Sequence, residues 1–93
     1  MALGYYFRPE GMTADKYDDV IRRLEAAGAG NPEGRRYHFA FGEEGGSLSV
    51  FDVWDSTELF DRFGQTLIPI LQEAGVDPGE PAVVEIHNMI IGR

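Results

Sequence analysis

Apolar residues recur along this chain with two periods, every second position in some stretches and every third or fourth in others, and the switches between them mark six elements. Residues 2–8 alternate Leu3, Tyr5 and Phe7 with Gly4, Tyr6 and Arg8, which predicts a strand with large groups on both faces. Pro9-Glu10-Gly11 interrupts it. Thr13 is placed to cap a helix whose inward stripe is Tyr17, Val20, Ile21 and Leu24, with Met12 positioned to staple onto Tyr17. Gly28, Gly30 and Asn31-Pro32-Glu33-Gly34 turn that helix into a loop.

A hairpin follows. Residues 35–42 alternate Tyr37, Phe39 and Phe41 with Arg36, His38 and Ala40, Glu43-Glu44-Gly45-Gly46 makes the turn, and residues 48–54 return. The junction Trp54-Asp55-Ser56-Thr57-Glu58-Leu59 predicts a strand-to-helix switch in which Asp55 caps, Glu58 reaches back and Trp54 packs on Leu59. The second helix is expected over residues 56–74, with Leu59, Phe60, Phe63, Leu67, Ile70, Leu71 and Ala74 facing inward and Gly75 ending it. Pro69 lies inside that pattern, lacks an amide proton and crowds the carbonyl of Gln65, so a kink or split is expected between Gly64 and Pro69, opening space above the sheet. After the 77–81 loop, residues 83–91 predict a last strand.

The order β-α-β-β-α-β folds most simply into an α+β, ferredoxin-like plait: an antiparallel four-stranded sheet with both helices on one face, residues 1–93 forming a single domain. Helices on one face leave the other bare, yet the strands carry apolar groups on both, for instance Val50 and Trp54 against Phe51 and Val53. That surplus predicts a homodimer packed through its sheet faces, with Met89-Ile90-Ile91 reaching toward the partner.

Composition narrows the partners. Sixteen acids against eight bases give a formal net charge of -8, which repels phosphate backbones and anionic lipid, so neither nucleic acid nor a membrane surface is an expected partner. Cysteine is absent, which removes a disulfide frame, a thiol nucleophile and a thiolate metal site, and suits a reducing cytoplasm. No apolar run approaches the roughly 20 residues of a membrane span, and no secretory leader is visible. Two well-separated His residues make no metal site, and there is no Gly-rich phosphate loop, Gly-x-Ser-x-Gly elbow or His-Glu-x-x-His helix. The Asp15, Asp18 and Asp19 cluster reads as a solvated helix face. RNA-binding modules share this element order, but Gly46-Ser47-Leu48-Ser49-Val50 offers neither the basic nor the paired aromatic residues they need.

In its Val53-Trp54-Asp55-Ser56 segment followed by Phe60 and Phe63, its Tyr37-His38 strand, its Leu67-Ile68-Pro69 helix and its His87-Asn88 terminus, the chain resembles the dimeric α/β-barrel superfamily. Within it, the likeness is to small antibiotic-biosynthesis-monooxygenase-like proteins and spans essentially the whole chain. The resemblance implies the plait and the dimer, and leaves several activities open, among them cofactor-free oxygenation of polyketide phenols, heme degradation, isomerisation, and no catalysis at all. Heme degraders of this type carry an Asn on the first strand, a Trp on the third and a His on the second helix. Only the Trp is matched here, so no heme, and no other cofactor, is expected.

Cofactor-free oxygenation needs a base and a dry aromatic cavity. His38, a lone titratable group among apolar strand residues, is the candidate base, or else a structural His bonded to a neighbour. Asp52 on the next strand would orient it if the register puts both on one face, and a slip of one residue would part them. Trp54 is a ligand cover or a core anchor. Tyr6, Tyr37, Phe60 and Phe63 line a pocket between sheet and helices for a small aromatic ligand, or fill that space, and His87 joins them if it faces inward. A non-catalytic ligand-binding or assembly module of the same fold is the alternative reading.

Overall fold

The structure, a computed structural model, describes residues 2–42 and 46–92. The chain runs β1 (Leu3–Phe7), α1 (Ala14–Ala26), β2 (Arg35–Phe41), β3 (Ser49–Trp54), α2 (Thr57–Glu73) and β4 (Ala82–Glu85). The strands form one sheet in the order β2-β3-β1-β4, and every neighbouring pair is antiparallel. This is the ferredoxin-like α+β arrangement the sequence predicts. The expected hairpin turn at Glu43-Glu44-Gly45-Gly46 falls, for residues 43–45, outside the described residues.

Strand alternation sorts the side chains between two layers. Tyr5 pairs with Asp52 and with Val83, so these share the helix-covered face, together with Phe7, Val50 and Trp54 at neighbouring even steps. The core lies there. Tyr5, Met12, Val20, Leu24, Trp54, Phe63, Leu71 and Val76 are all buried against one another, and the Tyr5 ring stacks on Phe60 at 4.0 Å. The opposite face carries Gly4, Tyr6, Phe51, Val84, Tyr37, Phe39 and Phe41. A Cβ on Gly4 would come within 2.6 Å of Phe51 Cζ, so only glycine lets that ring lie across β1. Phe39 and Phe41 remain 53% and 44% exposed, so the second apolar face anticipated from the alternation is present and uncovered within one chain.

Three local expectations are corrected. Ser56, not Asp55, caps α2: its hydroxyl accepts from the Leu59 amide at 3.2 Å. Asp55 instead accepts from Arg36 Nε at 2.5 Å, because it lies one residue before the cap, opposite the β2 edge. The Trp54 ring meets Phe60 and Phe63, at 5.6 and 5.3 Å. Pro69 does not split α2, which runs unbroken from Thr57 to Glu73. Its side chain is on the exposed side of the helix, so the carbonyl it leaves unbonded faces water, and the inward residues Leu67 and Leu71 keep their stripe.

The last strand is the third case, since β4 ends at Glu85 rather than running over residues 83–91. Glu85 pairs with Leu3 and the Ile86 amide donates to the Ala2 carbonyl at 3.1 Å, which brings the ladder to the start of β1. Beyond it, residues of the 86–92 segment line a space shared with Tyr37, Phe39, Phe51 and Val53 at the open sheet face. Ile90 and Ile91 are 87% and 71% exposed. Among the described residues no helix is long and apolar enough to cross a membrane.

Candidate functional site

The polar centre of the molecule is built on the β2–β3 register. His38 pairs directly with Asp52, so both side chains rise from the helix-covered face, with a β-bulge between Arg35 and Tyr37. Arg35 and His38 are three positions apart, which strict alternation would send to opposite faces. The bulge brings both to the same one.

Asp52, buried to 5% exposure, accepts from His38 Nδ1 at 2.6 Å and from the indole Nε1 of Trp54 at 3.3 Å. A carboxylate only accepts, so it assigns the imidazole proton to Nδ1 and leaves Nε2 with a free lone pair in the ring plane. Tyr17, from α1, meets that lone pair with its hydroxyl 2.6 Å from Nε2, and its ring lies within 5° of the imidazole plane. The chain Trp54-Asp52-His38-Tyr17 is thus satisfied end to end. Among the described residues no buried side-chain nitrogen or oxygen lacks a partner.

Burial raises the Tyr17 pKa above its ordinary value, with the Asp52 and Asp18 charges adding to the effect and Arg35 opposing it. The phenol therefore stays protonated and donates to His38. Arg35 stands over the Phe63 ring at 5.7 Å and donates to the Gly30 carbonyl, which holds its positive charge at the border of the site.

His38, Asp52, Tyr17 and Arg35 border a cavity of about 70 Å³ whose remaining wall is apolar, chiefly Phe7, Met12, Val20, Phe63, Leu67 and Leu71. This is well below the roughly 300 Å³ at which small-molecule sites begin. A wider groove of about 620 Å³ runs along α2 past Gly64 and Pro69 to Pro78 and Pro81, and shares Phe7, Leu67, Leu71 and Pro78 with the cavity. The space expected beside Pro69 is therefore present, though without a break in the helix.

Of the site residues suggested by the sequence, His38, Asp52 and Phe63 come together. Trp54 is fully buried, is not part of the wall of the cavity or of the groove, and supports Asp52 from behind. Phe60 packs among Tyr5, Phe7 and Trp54 and borders the groove rather than the cavity. Tyr6 and Tyr37 are corrected to the opposite face, because the alternation that sends His38 inward sends them outward; Tyr6 packs edge-on against Phe41 and Phe51, and Tyr37 stacks on Phe39. His87 is exposed beyond the end of β4, where alternation no longer directs it inward. Tyr17 is the residue sequence reasoning left in the core. Its signal was a hydroxyl within an otherwise apolar inward stripe, where burial demands a partner. Among the described residues no cluster of His, Asp and Glu has the arrangement of a metal site.

No family model and no curated protein matches the sequence. Solved structures do match the fold along nearly the whole chain. SnoaB, a cofactor-independent oxygenase from Streptomyces nogalater, superposes with a TM-score of 0.63 at 17% identity, covering 96% of this chain and 94% of that one. A protein of unknown function from Nitrosomonas europaea, NE2512, gives 0.61 at 18% identity, with 99% and 93% covered. A candidate monooxygenase from Shewanella loihica PV-4 gives 0.57 at 21% identity, with 95% and 96% covered. The resemblance read from the Trp54-Asp55-Ser56 junction thus holds at the level of fold, and the chain has a ferredoxin-like α+β architecture that SnoaB, NE2512 and the Shewanella protein share.

Proposed function

We propose that the protein is a small cofactor-independent oxygenase acting on an acidic, aromatic polyketide-like compound, with His38 as the base and Asp52 as the residue that orients it. The observation carrying this reading is the Asp52-His38 pair, at 2.6 Å, set in the wall of an apolar cavity with its reactive nitrogen aimed away from the carboxylate. In that arrangement a substrate hydroxyl or activated methylene gives its proton to Nε2, and Asp52 stabilises the imidazolium that forms. The resulting carbanion supplies the electrons that reduce dioxygen: at an anthrone methylene, one oxygen atom becomes the new carbonyl and the other leaves as water. No metal or flavin is needed for that balance. The groove along α2 shares Phe7 and Leu67 with the cavity wall and offers room for the fused rings.

A homodimer belongs to the same proposal. The open face presents Tyr37, Phe39, Phe41 and Phe51, and the strongly acidic chain favours neither polyanions nor anionic lipid, so a second copy of this apolar face is the best-matched cover. The cytoplasm, where a cysteine-free enzyme loses nothing, is the proposed location.

The test mixes the purified protein with an anthrone in air and follows oxygen uptake. Wild type should turn over, and His38→Ala should lose on the order of 10²–10⁴ in rate. No uptake, or an unaffected His38→Ala, defeats the catalytic reading. The small volume of the cavity, about 70 Å³, favours one competing reading: a non-catalytic assembly module in which the same aromatics are ordinary core. On that reading wild type and variant behave alike.

A further inference from the structure

The acceptor nitrogen of His38 is already occupied. Tyr17 Oη lies 2.6 Å from Nε2, and the two ring planes are parallel to within 5° with centroids 5.8 Å apart. The imidazole lone pair points outward in the ring plane, so this is the approach that any hydroxyarene must adopt to hand its proton to Nε2. A phenol from the protein's own α1 thus sits where a substrate phenol has to sit. The volumes say the same. An apolar cavity of roughly 150 Å³ is needed to take a single benzene ring, and the space beside His38 is about 70 Å³. Withdrawal of the Tyr17 ring, which lines this cavity and is half-buried near the start of α1, supplies the missing room.

The geometry points to Tyr17 as a placeholder: its hydroxyl holds the His38 lone pair in the resting protein, and an acidic hydroxyarene binds by taking over both that hydrogen bond and the space of the Tyr17 ring. The inference rests on the reading of His38 as a base for such a substrate. On exchange, the substrate O–H bond breaks, its proton goes to Nε2, and the electron pair stays on the substrate oxygen, while Tyr17 leaves with its own proton. The arrangement is selective. Tyr17 keeps its own proton, because burial makes it a weaker acid than an ordinary tyrosine. Only a hydroxyarene that is a better donor than Tyr17, hence more acidic, gains by displacing it. Tyr17 is a positioning residue, setting which compounds reach the base.

The probe is 4-nitrophenol, whose visible absorption reports the bound phenolate directly. Tyr17→Phe removes the competing hydroxyl and should bind the probe about tenfold tighter than wild type, the weight of one hydrogen bond. Tyr17→Ala, which also vacates the ring space, should gain at least as much. In the oxygen-uptake assay Tyr17→Phe should lower KM. A second measurement avoids substitution: the Tyr17 Cζ resonance in 13C-labelled wild type should shift when the probe saturates the protein. Unchanged or weaker binding by Tyr17→Phe, or a Tyr17 resonance that ignores the bound probe, overturns the placeholder role, whatever the oxygenation result. Tighter binding without oxygen uptake leaves the placeholder standing and defeats the oxygenase reading instead.

Discussion

Replacing Asp52 separates the structural from the chemical part of the His38 chain, because two substitutions make opposite demands. In Asp52→Ala, the Trp54 indole N–H, inside a fully buried ring, loses its acceptor, and His38 Nδ1 loses its anchor. One orphaned buried donor costs about 1–3 kcal/mol. His38, whose side chain is 21% exposed, recovers part of its loss through water, so the sum should be about 2–4 kcal/mol. Asp52→Asn behaves differently. The new amide oxygen can accept from Trp54 while its NH₂ donates to an unprotonated Nδ1, which forces the His38 proton onto Nε2, and Nε2 then donates to the Tyr17 oxygen. The buried indole and both ring nitrogens keep partners, and the O–H of the half-buried Tyr17 turns to water, so the stability change should stay below about 1 kcal/mol. The lone pair, however, now faces the introduced amide and not the cavity. Loss of the correct tautomer of a His base lowers turnover by about 10⁴ in the best-known case, and a drop of that order is expected here. Urea unfolding followed by the fluorescence of Trp54, the single tryptophan, reads the first quantity. With a urea m-value of about 1 kcal/mol/M for a small domain, Asp52→Ala should lower the midpoint by about 2 M or more. Imidazole 15N shifts read the second. If Asp52→Asn proves as unstable as Asp52→Ala, or keeps its proton on Nδ1, the tautomer argument is wrong.

Tyr17 holds its proton more tightly in the folded chain, so above its ordinary value of 10.0 the unfolded state binds fewer protons. Stability present below that pH is then lost as pH rises through the raised folded value. Urea midpoints compared at about pH 9 and about pH 11 should show less of this loss in Tyr17→Phe, and identical slopes would disprove it. At the α2 start, Ser56→Ala should cost about 1 kcal/mol through loss of the cap, and Asp55→Ala less than about 1 kcal/mol because its partnership with Arg36 is exposed; the reverse ranking in urea melts would restore Asp55 as the cap. On the open face, Phe39→Glu should convert a sedimenting pair of 10.3 kDa chains into single chains at micromolar concentration, and a well-folded wild-type monomer would remove the proposed dimer.

Most of the architecture was legible because it rests on periodicity. The stripe Tyr17, Val20, Ile21 and Leu24 and the alternation around Tyr5 and around Val50 are long-range averages, and no single neighbour overturns them. Expectations resting on one residue fared worse, since tertiary context decided them. Asp55 and Ser56 are both good caps, and the proximity of Arg36 across the β2 edge decides between them. Pro69 lies on the exposed side of α2, where the carbonyl it leaves unbonded can meet water, and the helix runs on through it. The end of β4 depends on where β1 begins, a pairing fact that the 83–91 segment does not contain.

The site shows the same division more sharply. His38 and Asp52 face each other only through a register that alternation leaves ambiguous by one step, and the Arg35/Tyr37 bulge adds a local step of its own to β2. Had β2 slipped by one residue against β3, His38 would point to the bare face and away from Asp52, and Tyr37 and Phe39 would turn into the core. Burying aromatics rather than a polar imidazole looks more favourable at first sight. The observed register holds because the inward His and Asp are completed by groups fixed independently of β2: the indole of Trp54, locked by Phe60 and Phe63, and the hydroxyl of Tyr17 on α1. A buried polar pair is tolerable when every donor and acceptor is met, and costly when one is missing. Tyr17 and Trp54 thus do in the folding of the sheet what they do at the site, selecting the alignment that turns Nε2 toward the helices. By the same register the aromatic surplus goes to the other face, where it presses for a second chain. Candidate base and candidate interface are therefore two consequences of one strand alignment.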